Sequence, residues 1–253
     1  NITDSSFERC NVSMTDNPKP TKEYSTGGGA IYVLGNYSNI ENCNFSYSHA
    51  KHGGILYIQG HDVNVTNIAT DSTYSSMEGG AVYVEGDNTT ISDSSFIRCN
   101  STNSSAGSIY VEGANATINN TIIRFSNAPD DGGSMYIKGD SALITGCTFA
   151  MCSSDEDGGV MYIKGDDCEL YNSTFTFNSA GNDGGAILWE GNNGIIYNIT
   201  CSNNRGTSRQ VSPTEKHNSN GGTMAVEGDN ISISKSSFSL TSAMIAGGAI
   251  FVT

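Results

Sequence analysis

The chain has 253 residues, with 12 Lys plus Arg against 26 Asp plus Glu and a formal net charge of −14. That balance argues against nucleic-acid or anionic-membrane partners, which need a basic surface, and no apolar run approaches the ~18 residues of a membrane helix. With 36% hydrophobic residues, 30 Gly and only 4 Pro, plus abundant β-branched and aromatic side chains, the composition is not that of a disordered chain.

In chain order, Asn1 opens the sequence with no charged-then-apolar leader, so an export signal or anchor is expected to lie outside this segment. Ile2 to Phe7 is the first copy of a motif, apolar-x-Asn/Asp-x-x-Phe. It recurs ending at Phe45, Phe96, Phe149, Phe175 and Phe238, with weaker copies ending at Thr70, Ile123 and Cys201. An insertion over residues 12–25 follows the first copy. The first Gly-Gly element then reads Gly28-Gly29-Ala30-Ile31-Tyr32-Val33, and eight further copies begin at Gly53, Gly79, Ala106, Gly132, Gly158, Gly184, Gly221 and Gly247. Their second glycines are separated by 25, 26, 27, 26, 26, 26, 37 and 26 residues. The one long interval marks a second insertion at 205–218.

Each unit of about 26 residues contains three short β-favouring runs separated by Gly, Asn, Asp or Ser, and none shows a helical period. Leucine-rich and propeller repeats lack their signatures here. The unit fits one coil of a parallel β-helix, which predicts an all-β solenoid of about nine coils forming a single domain over 1–253. At ~4.8 Å per coil the rod is about 45 Å long. Stacking creates the core that a single coil cannot bury.

Strand alternation predicts that the second and fourth residues after each Gly-Gly pair point inward, with the Phe row as a second inward ladder. The first and third residues should then face out. The third is Tyr32, Tyr57, Tyr83, Tyr110, Tyr136 and Tyr162. The first is small (Ala30, Ala81, Ser108, Ser134, Ala186), so a shallow trough beside an exposed aromatic stripe is expected. Such a stripe suits sugar rings or extended peptides; it equally suits tyrosines that only stack on one another. The seven cysteines never place a same-row pair in neighbouring coils, so free, buried thiols are expected.

Before the Gly-Gly pairs, Asp131, Asp157 and Asp183 occupy one row in successive coils, with Asp130 and Glu156 beside them. Carboxylates this close repel. A hard cation such as Ca²⁺, bound by Asp131, Glu156, Asp157 and Asp183, would relieve this; so would splaying into solvent. The row five past the pair predicts Glu112–Lys138 and Lys164–Glu190 pairs across coils. The insertion at 205–218 carries Arg205, Arg209, Lys216 and His217, a basic patch expected beside the tyrosine stripe. Asn-x-Ser/Thr triplets are dense, Asn64, Asn88, Asn172 and Asn198 among them, and are acceptors for glycosylation only in an exported protein. His49, His52, His61 and His217 form no nucleophile–His–acid arrangement.

The repeated Gly-Gly-Ala-Ile with its Phe-x-x-Asn element (Phe175 to Asn178) resembles the chlamydial polymorphic outer-membrane proteins. The regular Asn/Ser/Thr/Asp-rich coils resemble still more the adhesin-like surface proteins of methanogenic archaea. The similarity covers nearly the whole chain, although most Phe-x-x-Asn copies here have Cys or Ser in place of Asn. It implies a right-handed β-helix, an extracellular cell-surface location, and attachment to a host or neighbouring microbe through a glycan or a surface protein. The residues expected to make that contact are Tyr57, Tyr83, Tyr110, Tyr136, Tyr162, Arg205 and Arg209. The rivals are a polysaccharide lyase or hydrolase, common on this scaffold, and a purely structural stalk. An enzyme is not the expectation, because no Arg lies on the tyrosine strands and no coil is lengthened to wall a deep cleft except by the two modest insertions.

Overall fold

The structure is a computed structural model that describes residues 1–12, 27–207 and 219–253. It is a parallel β-solenoid. Each repeat contributes four strands rather than three, stacked into four parallel sheets. The tyrosine sheet holds the strands after the Gly-Gly turns, from Ile31–Val33 to Ile250–Val252. Two further nine-stranded sheets follow, one from Ile2–Thr3 to Ser232–Ser234 and the phenylalanine sheet from Ser6–Glu8 to Ser237–Ser239. The fourth, a short-strand sheet, stacks seven two-residue strands from His49–Ala50 to Arg205–Gly206.

The register is the one the repeat predicts. Tyr57 pairs with Tyr32 and Tyr83, Tyr110 with Tyr83 and Tyr136, and Phe149 with Phe175. Across the 37-residue interval Ile187 still pairs with Met224, so the second insertion leaves the stacking undisturbed.

The corners explain the Asn and Gly content. Gly158 begins its turn with φ 58°, and Asn88, Asn172 and Asn198 turn corners with φ of 57°, 48° and 54°, a left-handed conformation that Gly and Asn tolerate best. The amides then zip neighbouring coils together: Asn198 Nδ2 donates to Asn172 Oδ1 at 2.7 Å, and Asn88 Nδ2 to Asp62 Oδ1 at 3.0 Å.

The interior is aliphatic and aromatic. Phe149 and Phe175 are fully buried and stack with centroids 5.0 Å apart. The lone Trp189 is also fully buried, and Gly194 makes its room: a Cβ there would fall 2.5 Å from Trp189 Cζ2. The Phe-x-x-Asn element has a backbone task. Buried Asn178 accepts the Cys152 N–H at 3.0 Å and donates to Asn204 Oδ1 at 3.0 Å. Cys99 and Cys152 occupy the same corner in other coils, where the smaller thiol fills the space. All seven cysteines are free, six of them buried and Cys10 half-buried, as expected, and burial pushes the Cys147 and Cys168 thiols up to about 11.

The small row after Gly-Gly does not face out. Ala81, Ser108, Ser134 and Ala186 are fully buried. The Ala81 and Val82 N–H groups both donate to the Ser108 carbonyl, at 2.9 Å each, and Ile55 and Leu56 do the same to Ala81. One carbonyl thus receives two successive N–H groups at this turn, and both donating residues are buried. With the first and second residues both inward, the expected trough of small side chains is absent.

Candidate functional site

Past this turn, alternation resumes and sends the tyrosine side chains out of the barrel, between two inward aliphatics. The rings form a ladder. Centroids are 4.9 Å apart from Tyr32 to Tyr57, 4.9 Å to Tyr83, 5.0 Å to Tyr110 and 5.1 Å to Tyr136. Tyr162 closes it edge-on to Tyr136, at 4.9 Å and 63°. Outward does not mean exposed, however. Tyr57 is 3% accessible, Tyr162 5%, Tyr83 8% and Tyr136 9%, with Tyr32 and Tyr110 half-buried. Tyr110, Tyr136 and Tyr162 join Leu188, Ala106 and Ala225 in an apolar cluster of their own, apart from the main core.

Two margins cover the rings. On one side runs the row that precedes each Gly-Gly turn. A Cβ on Gly27 would sit 2.0 Å from Tyr57 Cδ2, and the His52 ring lies edge-on 5.3 Å from Tyr83. On the other side runs the row five past the pair. Tyr32 donates to Gln59 Oε1 at 2.9 Å, Tyr57 to Glu85 and Tyr162 to Glu190. The expected cross-coil pairs are present: Lys138–Glu112 at 2.8 Å and Lys164–Glu190 at 3.4 Å. Burial pushes the phenols of Tyr83, Tyr110, Tyr136 and Tyr162 above their ordinary range, so they remain hydrogen-bond donors.

The acidic row is the first margin. Asp131 Oδ1 accepts the Asp157 N–H at 3.3 Å, Asp157 Oδ1 the Asp183 N–H at 2.8 Å, and Asp183 Oδ1 the Asn220 N–H at 2.7 Å. Each carboxyl therefore caps the turn of the next coil. Burial, with nearby Asp130, Glu156 and Asp183 adding repulsion, raises Asp131 to about 6 and Asp157 to about 7. Glu156 turns aside to accept from Asn182 Nδ2 at 2.6 Å. Asp131, Asp157 and Asp183 share the expected row, but their oxygens are engaged with backbone. Among the described residues no group of three or more His, Cys, Asp or Glu side chains is disposed to hold a metal ion. Farther along the row Glu78 is held below its usual range by the hydrogen bond from His52, 2.7 Å away.

Arg205 stands exposed on the short-strand sheet, paired with Ser179. Arg209, Lys216 and His217 lie outside the described residues.

Aromatic side chains that do stand in solvent lie elsewhere. Tyr37 is 77% accessible at a corner and Tyr74 42% on the short-strand sheet. Tyr74 stacks on His49 at 4.8 Å and 3°, beside a groove of about 340 Å³ lined by Val12, Ala50, Lys51, Ser76, Met77 and Asn103 as well. Reasoning from the repeat alone misses this pair, since the row holds no recurring aromatic. The signal present was two ring-bearing residues, 49 and 74, at the repeat spacing. No protein-family model, curated protein or solved structure matches the chain. Among the described residues no helix is long and apolar enough to cross a membrane.

Proposed function

We propose that this chain is a segment of an extracellular, cell-surface adhesin, binding a glycan or a surface protein of a host or neighbouring microbe. One observation carries the reading: solvent-standing aromatic side chains, Tyr37 and Tyr74, are mounted on rigidly stacked coils among amide and hydroxyl groups. Aromatic faces beside planar polar groups are the equipment of a sugar- or peptide-contacting surface. The tyrosine ladder contributes differently from the exposed stripe first expected. With its rings covered and the Tyr32, Tyr57 and Tyr162 hydroxyls bonded, it stiffens the face and offers only its rim. The acidic, amide-rich exterior gives no attraction for nucleic acid. Display of the purified chain on a glycan array and on whole microbial cells tests the reading. Saturable binding to a restricted glycan or cell set is expected, and none to either would remove it.

A polysaccharide hydrolase is the second reading, favoured by one observation only. Asp131 at about 6 and Asp157 at about 7 would each be partly protonated near neutral pH, as a general acid must be. Reducing-end release from acidic and neutral polysaccharides, lost in Asp157→Asn, would establish it. A purely structural stalk would bind nothing and cleave nothing.

A further inference from the structure

The groove on the short-strand sheet carries the most specific chemistry on the surface. One wall is the His49–Tyr74 ring stack, held by the parallel pairing of His49–Ala50 with Tyr74–Ser75. Facing it are Met77 and Asn103, on the turns that follow the Tyr74–Ser75 and Asn100–Ser101 strands. Lys51, Ser76, Ala50 and Val12 complete it. Its volume of about 340 Å³ lies in the range of small-molecule sites.

Two of the polar groups here, the Lys51 ammonium and the Tyr74 hydroxyl, are donors without partners among the described residues. Lys51 makes no ion pair or hydrogen bond through its ammonium among the described residues, whereas Lys138 and Lys164 are each paired with a Glu. The Tyr74 hydroxyl likewise donates to nothing described. Asn103 uses its amide to reach the Ser76 carbonyl at 2.9 Å, which leaves its Oδ1 facing no donor. Among the described residues no carboxylate lines the groove. The one nearest in sequence, Glu78, is occupied by His52 at 2.7 Å and Ser104 at 3.1 Å. On a protein of net charge −14, a groove combining aromatic walls, apolar floor and an unpaired cation is selective by sign.

We propose that this groove binds an acidic sugar: a pyranose ring against the His49–Tyr74 wall, its carboxylate on Lys51, and a ring hydroxyl donating to Asn103 Oδ1. The assignment rests on the adhesin reading above and narrows it to a ligand class and a site. A carboxylate pairs with an unpaired ammonium by a charge-assisted hydrogen bond. The apolar C–H face of a pyranose suits an aromatic wall. A neutral sugar would leave the ammonium without a partner.

The test uses the whole chain and three small probes followed by ligand-observed NMR titration: methyl β-glucuronide, methyl β-glucoside and N-acetylglutamate. The glucuronide should bind about tenfold more tightly than the glucoside, the order expected for one charge-assisted contact. Lys51→Gln should abolish that preference while leaving weak binding of both sugars. Tyr74→Ser should weaken both by about tenfold, and Phe177→Ser, at an exposed corner of a coil that does not line the groove, should change neither. Thermal melts of each variant confirm an intact fold, since Lys51 and Tyr74 lie outside the core. Failure of the glucuronide to bind, equal binding of N-acetylglutamate, or indifference to both groove variants would overturn the assignment. Glycan-array or cell binding that persists in the Lys51 and Tyr74 variants would show the site wrong and the adhesin reading intact. Absence of all binding would end both.

Discussion

Trp189 and Gly194 form the clearest single-residue bargain in the core. The indole occupies a row otherwise filled by Val and Ile, and it fits because position 194 has no side chain. Gly194→Ala should cost about 1–3 kcal/mol by overpacking, read as a lowered urea midpoint, and Trp189→Val should restore part of the loss. Asp157 makes a second prediction, in pH. Its carboxyl titrates at 3.8 when unperturbed and at about 7 in the fold, so between those values the folded state holds a proton the unfolded state has released. The stability this group contributes is complete below pH ~4 and is lost as pH rises through about 7. The urea midpoint should therefore fall from pH 5 to pH 8 through this group. Asp157→Asn, which keeps an acceptor for the Asp183 N–H, should flatten that slope; an unchanged slope would place the titration elsewhere. Cysteine accessibility makes a third. Of seven thiols only Cys10 is not buried, so a thiol reagent should modify one rapidly in the native state and the remaining six only on unfolding.

At the scale of the coil, the period, the stacking register and the Phe ladder were legible because they repeat, and repetition survives any local irregularity. Three features were not. A two-residue strand such as Ser153–Ser154 is too short to show alternation, which hid the fourth sheet. The turn after each Gly-Gly pair keeps two successive residues inward and breaks the alternation from which the small row was assigned outward. The covering of the tyrosines depends on turns that overhang them, and His52 or Asp131 reads as a solvated corner until the turn's path is known. The ladder's role follows from that burial. Tyr83→Ser should cost about 3–5 kcal/mol, the range for removing a buried aromatic ring, measured by chemical denaturation. A near-neutral change would mean the rings are free after all. At the Phe-x-x-Asn corner, Asn178→Ala should cost about 1–3 kcal/mol by stranding a buried N–H. Asn178→Ser, the group that neighbouring repeats use at Ser126, should cost less.

Across the whole molecule, nearly every coil is bound only to the ones beside it. Stability in such an array is a sum of unit and interface contributions, so central and terminal coils should differ. Amides of the central tyrosine strands, Val82–Val84 to Met161–Ile163, should exchange slowest. Those of Ser232–Ser234 and Ser237–Ser239, whose core residues Ile233 and Phe238 are only half-buried, should exchange first. Hydrogen exchange resolved by strand checks the gradient, and uniform protection would imply one global unit instead. The candidate site was legible only in part, for a reason that belongs to this scale. Periodic chemistry announces itself in a sequence, whereas a groove built from one His, one Tyr, one Lys and the turn residues beside them breaks the repeat and looks like noise within it.

The amide and carboxyl ladders at the corners have an evolutionary corollary. Each coil presents its successor with the same acceptors it received from its predecessor, so a duplicated or deleted stretch of one unit creates no junction that the protein does not already contain. Length in such a lineage can drift by whole steps at little cost to folding. Selection on length can then proceed separately from selection on the surface chemistry of any single coil.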